Sequence, residues 1–125
     1  MTSWYKKFAS QPHQPFFTNG VIFFILFITL FAFAYSNSIK LDTSILTYHA
    51  YALIFVVFIQ FFLGFLFVVF PKFLMQSEIA SKDYMGQFFL YFISSLGILL
   101  SLIFYSQITI LFQLLMLFAQ ILSFR

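Results

Sequence analysis

The chain has 125 residues, of which 63 % are hydrophobic and 7 % are charged, and its formal net charge is +3. A soluble domain carries about 25 % charged residues, so this chain is too apolar to cover a soluble surface, and we predict an integral membrane protein. The absence of cysteine excludes disulfides and cysteine-ligated metals. The positive charge does not indicate nucleic-acid binding, because five of the six basic residues flank one side of the predicted spans.

The first seventeen residues form a polar and aromatic lead to the first span. Aromatic rings and lysines suit the membrane interface, where rings lie at headgroup level and lysines meet anionic lipids. The predicted interface anchors of the lead are Trp4, Tyr5, Lys6 and Lys7. Pro12 and Pro15 should break any helix, so the entry is expected to be stiff and extended. The first span is predicted at 17–35; the alternative, a signal peptide cleaved after residues 32–34, suits the long apolar run less well.

The second span, predicted at 45–70, is the stretch around which the chain is organised. Its N-cap candidates are Asp42, Thr43 and Ser44. His49, Gln60, Gly64 and Pro71 are its only polar, minimal or helix-breaking residues. At about 100° per residue they fall within one narrow arc of the helix, and apolar residues fill the rest. This arc predicts a face that meets a partner or a ligand, and Pro71 is expected to end the helix or kink its last turn.

Two more spans are predicted at 88–105 and 108–124, joined by a very tight turn. Small residues recur on one face of the first of them, at a spacing that allows close helix packing: Ser94, Gly97 and Ser101. In the last span, Gln113 and Gln120 are seven residues apart and share a face with Met116. Buried glutamines in lipid need hydrogen-bond partners. We interpret this face as a helix contact, and a transport path is the alternative.

These spans predict an all-α, polytopic membrane protein with four transmembrane helices, short loops and a single domain over residues 1–125. The lead and the loop between the second and third spans each hold two basic residues, and Arg125 follows the last span. The loop between the first two spans holds Lys40 alone. The positive-inside rule therefore predicts that both termini are cytoplasmic.

Catalytic chemistry has little support in the sequence. The three acidic residues all lie in predicted loops, and no paired carboxylates, phosphate-binding loop or nucleophile motif occurs. We therefore assign no catalytic residue and do not expect an enzyme. Imidazole is a common ligand of haem iron and copper, but the two histidines, His13 and His49, are predicted on opposite sides of the membrane. One haem held between them in a single chain is therefore not expected.

Two motifs resemble the NnrS family of polytopic bacterial membrane proteins. The first is Pro15-Phe16-Phe17 with Gly20, which is similar to the entry to the family's first span. The second begins at His49-Ala50 and continues, without a gap, through the residues Phe55, Gly64-Phe65-Leu66 and Pro71. The match covers roughly residues 12–72, the N-terminal part of the chain, and the later spans match in hydropathy only.

The resemblance implies an inner-membrane protein of the nitric oxide response, with haem or copper as possible cofactors. Among the family's candidate ligands only His49 carries over, as the predicted cofactor and metal contact. Tyr51 stands where the family has a second histidine, and Ala52 and Leu53 replace its glutamate and methionine. Further ligands would have to come from a partner or a second copy. Because family members usually have many more spans, the chain would be an N-terminal part, a split-gene product or a short relative.

Three functions therefore stand as hypotheses. The favoured one is an NnrS-like protein with a haem or copper role in the nitric oxide response. The second is a non-catalytic membrane scaffold or subunit, packed against its own copies or another membrane protein. The third, a small-molecule transporter, would need a polar path lined by Gln60, Gln113 and Gln120.

Overall fold

The computed structural model describes residues 3–122, and every regular element in this range is helical. The helices are α1 (Ser3–Phe8), α2 (His13–Tyr35), α3 (Ile45–Phe73), α4 (Ser81–Phe104) and α5 (Thr109–Ile121). Within the described residues, α2, α3 and α4 are long and apolar enough to cross a membrane. Three candidate spans are therefore present in an all-α membrane protein.

The predicted fourth span does not reach membrane-spanning length in residues 3–122. A 3-10 turn, Ser106–Ile108, leads into α5, and together they form the shorter apolar helix Ser106–Ile121. At 1.5 Å per residue this helix extends about 24 Å, less than the ~30 Å hydrocarbon core. Residues 123 and 124 of the predicted span lie outside the described residues.

The expectation of an extended, helix-free entry was wrong. Pro12 takes the N-cap position of α2 with helical backbone angles, and Pro15 lies in the first turn. The first N–H groups of a helix have no intrahelical partner, so a proline there costs no hydrogen bond. Both prolines are therefore compatible with a helix that begins at His13.

Helix α3 begins at a capped serine and runs through the predicted breaker. The Ser44 hydroxyl accepts a hydrogen bond from the Thr47 backbone N–H at 3.4 Å. Pro71 lies inside the helix, which ends only after Phe73. Beyond it the Gln76 N–H bonds the Pro71 carbonyl at 2.8 Å, and Met75 has a positive φ of 52°. This is a Schellman-type ending, so Pro71 helps to close the helix without breaking it.

Two further features of the helices differ from the expected boundaries. The Ala52–Phe58 segment of α3 is π-helical, a winding that is rare and usually confined to single turns. Helix α4 begins at Ser81, seven residues before the predicted span. Its first turns are amphipathic, because Lys82 and Asp83 are exposed whereas Tyr84 is buried. The hydropathy pattern marks only the part of this helix that would lie in hydrocarbon.

The helices pack as two antiparallel hairpins. In the first, α2 packs along α3, and in the second, α4 packs along α5. The hairpins meet mainly through aromatic contacts between α2 and α4, such as Phe16 on Tyr91 (centroids 6.2 Å apart) and Phe23 on Phe92 (5.9 Å). The lead is attached to the second hairpin, since the Tyr84 hydroxyl donates to the Ala9 carbonyl at 2.7 Å. This arrangement leaves a cleft between α3 and α5.

Candidate functional site

His49 lies one turn into α3, at the end of the first hairpin. Its ring is stacked on Phe31 of α2, with centroids 5.2 Å apart and planes 7° from parallel, and Tyr35 lies 6.3 Å away. His13 is at the other end of α2, against Phe17. The length of α2, 23 residues at 1.5 Å each, places the two imidazoles roughly 30 Å apart. They cannot share one metal within a chain.

The residues around His49 do not form a complete metal site. Between Ser3 and Leu122, no group of three or more histidine, cysteine, aspartate or glutamate residues converges on one point. Tyr51, at the position of the family's second histidine, donates its hydroxyl to the Met116 sulfur at 3.9 Å. For haem or copper, this end of the described chain therefore offers the oriented imidazole of His49 without a cluster of three ligand side chains.

Gln60 is the centre of a buried polar cluster that links α2, α3 and α4. Its side chain is fully buried. Its Oε1 accepts from Asn19 Nδ2 at 2.5 Å, and its Nε2 donates to the Val56 carbonyl at 2.7 Å and to Ser95 Oγ at 3.3 Å. The cluster is satisfied by protein groups alone, as a polar group in hydrocarbon must be. We therefore interpret Gln60 as an interhelical hydrogen-bonding residue.

Gly64 lies four residues further along α3, where it allows close approach to α2. A Cβ built at this position would lie 2.9 Å from the ring of Phe17 and 3.1 Å from Cβ of Phe16. Gly20 has the reciprocal position on α2, where a Cβ would lie 3.1 Å from the ring of Phe61. His49, Gln60 and Gly64 thus all contact α2, whereas Pro71 is buried near the end of α3.

The small residues of α4 divide between two roles. A Cβ at Gly97 would overlap the ring of Phe112 of α5, and Ser101 Oγ is 2.8 Å from Thr109 Oγ1. These two positions therefore form the contact with α5. Ser94 is buried but donates its hydroxyl to the Leu90 carbonyl of its own helix at 2.6 Å.

The glutamines of α5 lie apart from Gln60. Gln113 and Gln120 are half-buried, and Met116 between them is fully buried. The side chain of Gln120 lies beside the buried hydroxyl of Tyr91. No other group among residues 3–122 bonds this buried hydroxyl. The polar cluster at Gln60 and the hydroxyl of Tyr91 are therefore separate features of the bundle.

An apolar cleft lies between α3 and the second hairpin. It has a volume of about 650 Å³. One face of the C-terminal half of α3 forms its wall, the segment from Leu74 to Ile79 forms its rim, and Tyr91 and Gln120 line it from the second hairpin. Its size is within the 300–1,000 Å³ usual for ligand pockets.

The predicted interface anchors all lie on α1. Trp4 is 69 % exposed and stacks on Phe8, with centroids 5.2 Å apart. Lys6 and Lys7 are exposed, and Tyr5 is half-buried.

Sequence reasoning did not identify three polar residues that the fold makes important. They are Asn19, Ser95 and Tyr91. Asn19 stands alone among apolar residues in the first span, and this isolation is a signal that it needs a buried partner. Ser95 and Tyr91 carry no comparable signal, because serine and tyrosine are common in apolar helices.

Comparison with known proteins identifies a family for this chain. The model of the NnrS family, described as "NnrS protein", matches residues 7–124. The match extends well beyond the motifs in residues 12–72 and includes both hairpins. A search of curated proteins and a search of solved structures each found no match. Because the family match covers nearly the whole chain and the helices are apolar, this membrane protein belongs to the NnrS family.

Proposed function

We propose that this NnrS-family protein serves the nitric oxide response in the bacterial inner membrane, with His49 as one ligand of a haem or copper centre completed by a second chain. The observation that carries the proposal is the orientation of His49. Its half-buried ring is held flat against Phe31. A ring fixed in this way loses little rotational freedom when it binds a metal.

The proposal includes a second chain because, among the described residues, His49 does not belong to a cluster of three histidine, cysteine, aspartate or glutamate side chains. The position of the family's second histidine is occupied by Tyr51, whose hydroxyl is engaged with Met116. A second copy, or another membrane protein, would therefore supply the remaining ligands. The proposed function therefore requires that this chain assembles with a second chain.

The charge distribution supports an orientation with the N-terminus in the cytoplasm. The lead and the α3–α4 connection share one end of the bundle, since both line one small pocket, and this end carries Lys6, Lys7, Lys72 and Lys82. The other end carries Lys40 alone among lysines. By the positive-inside rule, the first end is cytoplasmic. Arg125 lies outside the described residues.

The test is an absorption spectrum with metal analysis on detergent-purified protein. Wild type is compared with His49→Ala and with His13→Ala, a matched control at the other end of α2. We expect a haem band or stoichiometric copper that His49→Ala abolishes and His13→Ala retains, together with a parallel loss of nitric oxide tolerance in cells. Metal-free wild-type protein with unchanged tolerance in His49→Ala cells would refute the proposal.

A second candidate function is a non-catalytic membrane subunit, and the Gln60 cluster favours it. All the polar bonds of this cluster are made within the bundle, which suggests a packing role. This function predicts that His49→Ala is tolerated whereas bulky substitutions at Gly64 and Gly97 are not. The phenotype of these variants in cells separates the two functions.

A further inference from the structure

The apolar cleft continues into a second, more polar recess near the end of α3. This polar recess has a volume of about 720 Å³ and lies between the first turns of α4 and the end of α5, where Leu90 and Leu122 line it. Phe67 and Ile79 line both the polar recess and the cleft. The two spaces therefore adjoin, and a single elongated molecule can enter both.

The polar recess carries one charge of each sign. Lys82 and Asp83 both line it, and both are exposed in the first turn of α4. Adjacent residues of a helix do not face each other, so both charges stay available to a ligand. A ligand group that carries a negative and a positive charge close together is complementary to this pair.

The polar recess lies at the depth of the lipid headgroups. Lys82 is six residues, or about 9 Å along α4, before Phe88, where the predicted third span begins. The headgroup layer on each side of a bilayer is ~5–8 Å thick, and the tilt of a helix reduces the depth that its residues cover. The charged pair is therefore placed among headgroups.

The apolar cleft has the direction and length of an acyl chain. It follows α3 from Pro71 to Ile59, which is twelve residues or about 18 Å. One leaflet of the hydrocarbon core is ~15 Å deep, half of the whole core. The polar recess and the cleft together thus follow the course of a phospholipid, with a headgroup at the interface and a chain that reaches toward the bilayer centre.

We propose that the polar recess and the cleft together bind one molecule of phosphatidylethanolamine. Its phosphate accepts from the ammonium of Lys82, its own ammonium donates to the carboxylate of Asp83, and one acyl chain lies in the cleft against Phe62 and Phe70. Phosphatidylglycerol has no cation for Asp83, and the quaternary ammonium of phosphatidylcholine has no N–H to donate. This inference does not depend on His49 or on a metal.

The experiment measures fluorescence quenching by lipids that are brominated near the ends of their acyl chains. Phe62→Trp, in a Trp4→Phe background, places the reporter in the cleft. Phe24→Trp on α2 is the matched control, because Phe24 is 44 % exposed and Phe62 45 %, and each lies eleven residues from the same end of the bundle. In phosphatidylcholine bilayers with a minor fraction of brominated lipid, phosphatidylethanolamine should associate with the Phe62→Trp site about fivefold more strongly than phosphatidylglycerol. At Phe24→Trp the two lipids should quench equally.

Charge variants test the headgroup contacts. Asp83→Asn should remove the preference for phosphatidylethanolamine, because a fivefold preference corresponds to about 1 kcal/mol, the upper range for one exposed ion pair. Lys82→Gln should weaken the association of both lipids, since both carry a phosphate. Lys40→Gln and Asp42→Asn, in the loop at the other end of the bundle, are the matched controls and should change neither value.

Three results would overturn the proposal. Equal quenching of Phe62→Trp and Phe24→Trp by brominated phosphatidylethanolamine would mean that the cleft meets only the general lipid surroundings. No quenching of Phe62→Trp by any brominated lipid would mean that another protein chain fills the cleft. An unchanged preference in Asp83→Asn would exclude the headgroup contact. All the substituted side chains are exposed, so the variants should fold.

Discussion

The contact between Gly97 and Phe112 makes a sharp prediction about the stability of the second hairpin. An alanine at Gly97 would place its Cβ inside the space of the Phe112 ring, closer than real Cβ atoms approach. Gly86, on the same helix, has nothing within 4 Å of the corresponding position. Gly97→Ala and Gly86→Ala therefore form a matched pair that differs in packing.

The expected change in the free energy of unfolding follows from two opposing effects. Glycine to alanine in a helix gains about 1 kcal/mol of propensity, and this gain applies to both variants. Overpacking a well-filled contact costs about 1–3 kcal/mol, and it applies to Gly97→Ala only. Since the propensity terms cancel, Gly97→Ala should be less stable than Gly86→Ala by about 1–3 kcal/mol.

The measurement is unfolding in mixed micelles with an increasing fraction of sodium dodecyl sulfate, followed by near-ultraviolet circular dichroism. Adding Phe112→Val to Gly97→Ala removes the ring and should restore most of the lost stability. Equal stability of the two alanine variants would refute the reasoning, since it would show that α4 and α5 do not approach as closely as the structure has them.

Two other predictions concern the first hairpin and the lead. Replacing Gln60 by leucine should destabilise the bundle by about 1–3 kcal/mol, because it leaves the amide of Asn19 unpaired. The double variant with Asn19→Leu should cost less than the sum of the single changes, and a double-mutant cycle with zero coupling would contradict the hydrogen bond. Trp4 is the only tryptophan, so its fluorescence reports on α1 alone. Its emission should be quenched most by lipids brominated near the headgroup; stronger quenching by lipids brominated near the chain ends would show that α1 is not interfacial.

The helical class of this protein could be predicted from hydropathy alone, because lipid-facing surfaces demand long apolar runs whatever the packing. The N-cap of α3 could also be predicted, since Ser44 was one of three adjacent candidates. The entry to α2 was mispredicted because a proline rule for helix interiors was applied to Pro15, which lies in a first turn. The predicted fourth span was apolar enough, but within residues 3–122 its helix is shorter than a span, so the fourth span is not confirmed.

The candidate sites were harder to predict from the sequence than the fold. Gln60 could be identified as a special residue, but its partners come from α2 and α4 and depend on how the hairpins dock. The burial of the Tyr91 hydroxyl depends on the packing of the second hairpin and on the end of α3. The π-helical part of α3 has no sequence signal, as its Ala52–Phe58 residues are ordinary helix formers in lipid. Such features arise from tertiary packing, which the sequence pattern of a single chain does not predict.

The unequal lengths of the helices have a consequence for the surrounding lipid. Helix α3 has 29 residues, about 43 Å if straight, whereas Ser106–Ile121 extends about 24 Å. A bilayer core of ~30 Å is thus thinner than the full length of α3 and thicker than the described length of the helix Ser106–Ile121. Tilting of α3 relieves its excess length. Because α3 is longer than α2 and α4, which have 23 and 24 residues, it should tilt more than they do and perturb the surrounding lipid asymmetrically.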